Sequence, residues 1–297
     1  MAAPADIGVT ILHESAAGSL APCLGSLHAA QGRFRLDVTI VAHGIRPARL
    51  HRVARDLAAL DLPGRVFHIP HADTANALNQ AMGALRQPAR LNVFVAGGAQ
   101  IAPDTLSGFA ALLSRHPEAL AATGLPARDP AAAAETLREG GRLHAPLFAL
   151  RPAFLDRLAA AGLRLPVGLC CPHWLLARMA CHDLDIRQHR WDARRIAGAA
   201  EAVFRVKPQR LAQTQQRMRV FMEMAALSGL IARDGFAALP NHTDTLLRAW
   251  LNDGNTVPAT RRERFFLHNA IRRLGKSQEP TPASLQPALV FATTKQA

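Results

Sequence analysis

The sequence predicts an α/β fold: a central, mainly parallel sheet flanked by helices, followed by a C-terminal helical extension. Three observations predict it. In the first half, short apolar, β-branched runs alternate with helix-length segments, the pattern of βαβ units with right-handed crossovers. Past residue 206 strand-like runs give way to mostly helical spacing. Hydrophobic residues make up 49% of the 297 positions and charged ones 19%, which supplies a sizeable core and excludes wholesale disorder.

The elements follow in order. Residues 7–12 form a first strand, and 16–30 a helix-length segment. LDVTIVA at 36–42 is a second strand, followed by apolar residues at helical spacing over 46–60. Residues 65–69 form a third short strand before a helix pattern at 73–85. Residues 91–96 form a fourth, before a helix at 103–113 with proline in its first turn. The stretch 127–141 is rich in Ala and Gly and reads as a surface excursion. A further strand is expected at 147–150, with helices at 152–161 and 172–181. Residues 208–233 support one long helix with Leu211, Met218, Met222 and Ala225 on an apolar face. Two more are expected at 241–250 and 260–274, the last opened by a capping box of Thr260 and Glu263 and stopped by Gly275. The expected division is an α/β unit over 1–205, a helical extension over 206–276 and a disordered tail over 277–297.

Bulk charge narrows the partners. The formal net charge of +13 is carried mainly by arginine, which favours anionic ligands such as nucleotide diphosphates. Nucleic acid is disfavoured, because aromatics are only 5% and no reading motif is present. The N-terminal residues lack a basic n-region and a long apolar stretch. No window approaches the roughly 18 apolar residues of a membrane span, so the chain reads as cytoplasmic. Cys23, Cys170, Cys171 and Cys181 then read as free thiols, with Cys23 on an apolar helix face and so in the core. The grouping of Cys170, Cys171, His173, Cys181 and His182 matches no standard zinc spacing.

Four segments within 7–205 carry a family resemblance. IGVTILHESAAGSLAPCLGSL (7–27) resembles an opening strand, loop and helix that usually read I-P-T-Y-N and then C-L-x-S-L. LDVTIVAHG (36–44) resembles a second strand with its V-V-D-x-G-S turn. HADTANALNQAMGAL (71–85) resembles N-G-G-x-x-x-A-R-N-x-G, keeping Ala77 and Asn79, and NVFVAGGAQIAPDTL (92–106) resembles the strand that carries a D-x-D motif. Further on, 162–178 sits where an E-D pair opens a helix. In order and spacing the chain resembles the family-2 glycosyltransferases of GT-A fold. That resemblance implies a nucleotide-sugar-binding domain over 1–205 and transfer of a sugar to a glycan or lipid-linked acceptor. The alternative is a catalytically inactive GT-A scaffold that binds a partner.

The departures concern acidic residues. The resemblance implies an Asp at Ala42 to contact the nucleobase, but alanine stands there. The D-x-D carboxylates, which hold Mg²⁺ or Mn²⁺ against the diphosphate, are replaced by Ala96, Gly97 and Gly98. The E-D pair, which supplies the base, is replaced by Cys171 and Pro172. In parallel sheets, ligands bind beyond the carboxyl ends of the strands, and His13, Glu14, His43, His71 and Asp73 follow three of those ends. They are read either as a compensating donor site, together with Asn79, or as scattered histidines in a chain that holds 13. Gly97 and Gly98 either admit a diphosphate to backbone amides or simply form a turn. His173 is the candidate base, or else an exposed first-turn residue. The basic, Phe-containing segment 260–276 reads either as a peripheral membrane contact on the inner face or as a helix packed on the domain.

Overall fold

The computed structural model describes residues 5–14, 17–60, 62–128, 141–206, 213–252, 268, 272 and 280–293. The first half builds as its pattern requires. Strand β1 (Ala5–Glu14) leads to α1 (Ala21–Ala30), and β2 (Leu36–His43) leads through a single 3₁₀ turn to α2 (Leu50–Ala58). Strand β3 (Gly64–Ile69) leads to α3 (Thr74–Met82), and β4 (Ala89–Ala96) turns directly into the short β5 (Ala99–Ile101) before α4 (Thr105–Arg115). Then come β6 (Ala121–Pro126), β7 (Leu147–Leu150), α5 (Pro152–Ala160), α6 (Pro172–Cys181) and β8 (Ile196–Val206). Helices α5 and α6 both begin at proline, whose missing N–H is one of the unpaired donors of any first turn. The C-terminal part contributes α7 (Gln213–Asp234), α8 (Thr243–Asn252), α9 (Pro282–Leu285) and β9 (Ala288–Thr293).

Among the described residues, all nine strands join one sheet in the order β5-β8-β6-β7-β4-β1-β2-β3-β9. Its centre is parallel, with Val9 of β1 opposite Val38 of β2 on one side and Val93 of β4 on the other. Strands β5, β7 and β9 run against it. Apolar residues fill both faces, as parallel strands covered by helices demand. One face buries Ile7, Val9 and Ile11 of β1 against Leu24 and Leu27 of α1, Leu57 of α2 and Phe109 of α4. The other packs Phe94 on Phe148, rings stacked 4.9 Å apart, beneath Leu78 of α3, Phe154 of α5 and Leu175 of α6. Ala226, Leu227 and Ile231 of α7 and Leu246 and Leu247 of α8 lie in that same cluster, so α7 and α8 pack onto the sheet's second face. Cys23 is buried in the first cluster, and burial pushes its thiol up to about 12.

Two departures from the sequence pattern stand out. Strands β6 and β8 carry AATGLP and an Ala/Gly-rich segment, compositions with weak strand preference, and their place in the sheet is set by pairing with each other and with β7. The expectation of disorder over 277–297 is corrected for 282–293. There α9 and β9 form, and β9 pairs antiparallel with β3. The Thr293 hydroxyl donates to the Leu62 carbonyl and accepts from the Gly64 amide, which fastens the strand at that end. The expected excursion at 127–141 lies almost wholly outside the described residues. So does the basic segment 260–276, of which only His268 and Arg272 are described, both exposed.

Candidate active site

The carboxyl ends of β1, β2, β3 and β4 share one edge of the sheet. His13 is the next-to-last residue of β1 and His43 the last of β2; the register sets His13 beside Ala42, and Glu14 beside His43. Both imidazoles are almost completely enclosed, His13 at 4% exposure and His43 at 2%, and neither Nδ1 has a hydrogen-bond partner among the described residues. An unpaired buried polar atom costs about 1–3 kcal/mol. Burial lowers the pKa of His13, and burial together with the neighbouring His13 pushes His43 down to about 4. Both rings are therefore neutral near pH 7, each with one N–H to give and one lone pair to offer.

Gly97 closes the floor of this edge. A β-carbon added there would stand 2.5 Å from His13 Nδ1 and 3.1 Å from His13 Cα. Its amide already donates to the Leu12 carbonyl at 2.7 Å, so the reading of Gly97 as a free amide donor for a diphosphate is corrected: close packing against His13 is what demands glycine. Gly98 has no such crowding. Glu14 and His71 are half-buried, and the His71 amide donates to the carbonyl of Ser284, bringing α9 against the loop between β3 and α3.

Asp73 and Asn79 turn inward instead. Asp73 caps α3, one carboxylate oxygen accepting from the Asn76 amide at 2.6 Å and the other from the Gly168 amide. Burial raises its pKa against the pull of those amides. Asn79 pairs with the backbone of Leu165 twice, giving to its carbonyl at 2.8 Å and accepting from its amide at 2.9 Å. Both side chains thus hold the 165–168 loop that leads into α6. They position the cleft, a correction to their reading as direct donor ligands.

Beyond that loop the chain enters α6, held beside α7. The Cys170 amide donates to Glu223 of α7 at 2.8 Å, and the Glu223 carboxylate accepts from Arg219 Nε at 2.9 Å. Glu223 is 1% exposed, and burial raises its pKa. The thiols of Cys170 and Cys171 are pushed up to about 12 and about 11 by burial and by Glu223, so neither is a thiolate nucleophile near pH 7. His173, in the first turn of α6, is half-buried. Burial first, and the nearby His144 second, push it down to about 4. His144 itself faces this end: its Nδ1 lies 2.6 Å from the Gly124 carbonyl and its amide donates to the Thr123 hydroxyl. Sequence reasoning missed His144, Glu223 and Arg219. An acidic residue inside the apolar run FMEMAAL was the available signal for Glu223; His144 had none, because it precedes its strand instead of following one.

A cavity of about 380 Å³ lined by Asp183, Arg190, Trp191, Asp192 and Arg195 lies elsewhere. It opens where β6 and β8 begin, and so at the opposite edge of the sheet. Asp183 already pairs with Arg157 and Arg195, and Asp192 with Arg194, so the cavity's charges are largely balanced internally.

No protein-family model and no curated protein matches the sequence. Solved structures do match the fold. A mannosyltransferase of Pyrobaculum calidifontis, solved with GDP-Man and Mn²⁺, superposes at a TM-score of 0.59 with 16% identity, over 93% of this chain and 89% of its own. Staphylococcus aureus TarS, solved with UDP-GlcNAc, gives 0.56 and 14%, over 91% and 80%. Glucosyl-3-phosphoglycerate synthase of Mycobacterium tuberculosis gives 0.54 and 13%, over 80% and 81%. The strand order, the helix-covered parallel centre and these superpositions agree on one architecture. The chain has the GT-A-type glycosyltransferase fold.

Proposed function

We propose that this protein is a glycosyltransferase that moves a sugar from a nucleotide-sugar donor to a hydroxyl of a glycan or lipid-linked acceptor. The observation that carries the reading is the coincidence of two things. The GT-A fold spans nearly the whole chain, and the strand ends where such folds hold their donors carry His13, Glu14, His43 and His71 around Gly97 and Gly98. Neighbours solved with UDP-GlcNAc, GDP-Man and UDP-Glc support a nucleotide sugar as the ligand class. The neutral rings of His13 and His43 are suited to hydrogen bonding with base or phosphate oxygens.

Two of those neighbours carry Mn²⁺, and the residues here fit such an ion poorly. Hard divalent cations take oxygen ligands, and Ala96, Gly97 and Gly98 present no side-chain oxygen. Among the described residues no three His, Cys, Asp or Glu side chains are grouped to hold a metal. Charge on the departing diphosphate is then met by hydrogen bonds and by the chain's strong positive charge. In the transfer the acceptor oxygen bonds to the sugar's anomeric carbon while the bond to the diphosphate breaks. The hydroxyl proton passes to a base on the α6 side, beside His173.

The lack of carboxylates at Ala96 to Gly98 favours a second reading, a catalytically inactive GT-A scaffold that binds a partner. Among the described residues no helix is long and apolar enough to cross a membrane. A peripheral contact through 260–276, on the cytoplasmic face, would suit a lipid-linked acceptor. Thermal unfolding against UDP-GlcNAc, UDP-glucose, GDP-mannose and free nucleotides, with and without Mn²⁺, tests the proposal. A ligand at a hundred times its Kd stabilises by about 2.7 kcal/mol, and a shift of that order with one nucleotide sugar is expected without Mn²⁺. A flat response to the whole panel would sink the donor site, whereas a donor shift with no turnover would select the scaffold.

A further inference from the structure

The α6 side of the cleft holds two imidazoles, and their settings differ. His173 is held in its neutral form by burial and by its neighbour, which makes it a weak proton acceptor. His144 sits in the short lead-in to β7, beside the end of β4: two residues on, the Pro146 carbonyl accepts from the Ala96 amide at 3.0 Å. This places His144 at the carboxyl edge of the sheet, next to the β4 turn and within electrostatic reach of His173.

Its tautomer is dictated by its partner. The Gly124 carbonyl, 2.6 Å from Nδ1, has only lone pairs, so Nδ1 must carry the hydrogen. In the neutral ring the lone pair is then on Nε2, which makes no hydrogen bond among the described residues and is not one of the enclosed, orphaned atoms. The ring is fixed in three ways: by that carbonyl, by its own amide on Thr123 and by the edge of Phe204, with centroids 6.0 Å apart. A base held by a backbone carbonyl at one nitrogen and open at the other is the arrangement that general-base histidines use.

Resting on the glycosyltransferase reading above, we propose that His144 Nε2 is the general base that takes the proton from the acceptor hydroxyl, with His173 beside it as a hydrogen-bonding group. In the step, the O–H bond breaks toward Nε2 as the oxygen–carbon bond forms. The diphosphate leaves with the electron pair of the broken carbon–oxygen bond, and imidazolium is left at His144 until solvent removes its proton.

The test compares His144→Asn and His144→Ala with the unaltered protein. Nucleoside diphosphate release from UDP-glucose, UDP-GlcNAc and GDP-mannose is measured with octyl glucoside as the hydroxyl probe, alongside the donor-induced thermal shift. Asparagine keeps an N–H for the Gly124 carbonyl but offers no basic nitrogen. Both variants are expected to keep the donor shift and to lose at least about a hundredfold in turnover. Free imidazole should restore part of the loss in His144→Ala. Asparagine turning over within threefold of the unaltered protein, or alanine losing turnover with no rescue by imidazole, would overturn the assignment while leaving the transferase reading standing. An unaltered protein that releases no nucleotide from any of these donors overturns both.

Discussion

At the scale of single residues, the Nδ1 atoms of His13 and His43, unpaired among the described residues, make a test that separates stability from the proposed function. A buried imidazole nitrogen without a partner is a loss for the fold, and an apolar side chain of similar size removes it. His43→Leu should therefore raise the urea midpoint, by about 1 kcal/mol in stability, while abolishing the thermal shift with nucleotide sugar. A variant less stable than the parent would mean that the ring has a structural partner. Gly97 works in the reverse direction. Gly97→Ala drives a β-carbon into the ring, Cβ and Cα of His13, and should cost about 1–3 kcal/mol by denaturant titration. Trimming His13 to alanine in the same chain relieves only part of that, because the new β-carbon would still lie 3.0 Å from Cβ and 3.1 Å from Cα of residue 13.

At the scale of elements, α3 organises the cleft by holding another loop. Asp73 and Asn79 grip Gly168 and Leu165, and Arg219 of α7 reaches the Gly168 carbonyl from the far side at 3.2 Å. Asn79→Leu strands the Leu165 amide and carbonyl, and should cost about 1–3 kcal/mol. Because Asp73 holds the same loop, Asp73→Ala with Asn79→Leu should be non-additive in a double-mutant cycle. Additive losses would show that the two grips act on independent parts of the structure. These elements also mark how far the sequence could be read. Strands β1, β2, β4 and β7 and helices α3, α5 and α6 stood out, because β-branched runs, proline starts and helical spacing all agreed there. Strands β6 and β8 did not, since AATGLP and an Ala-rich run gain strand geometry only from neighbours distant in sequence. The candidate site was legible where a histidine stands at or just past the end of a strand, as at His13, His43 and His71. It was illegible where the residue comes from another part of the chain, as His144 does ahead of β7 and Glu223 from α7.

At the scale of the whole molecule, the buried imidazoles give stability a definite pH dependence. His13, His43 and His173 are all held neutral in the fold, the last two down to about 4. The unfolded chain takes up those protons at about pH 6.5, and so binds more protons than the fold between there and about pH 4. Their contribution is therefore complete above about pH 6.5 and is lost as the pH falls toward 4. Asp73 and Glu223, whose pKa values burial raises, work the other way in acid and soften the slope. Urea midpoints should fall between pH 7 and pH 5, and a midpoint that held level or rose would contradict the burial of these rings. Removing residues 280–297 should likewise lower the midpoint, since it bares the β3 edge and takes away the Ser284 carbonyl that receives the His71 amide.

That outermost strand has a consequence for the order of assembly. Gly64 and Thr293 meet across 229 positions of chain, among the most distant contacts in the molecule. A ribosome releasing the protein residue by residue exposes β3 long before its partner exists, so the nascent sheet waits with one flank open until residues 288–293 have been made. Closure of that flank, and the pinning of the β3–α3 loop beside His71, comes as a late event of high contact order. The β3–α3 side of the candidate site is thus finished only after residues 284–293 have been made.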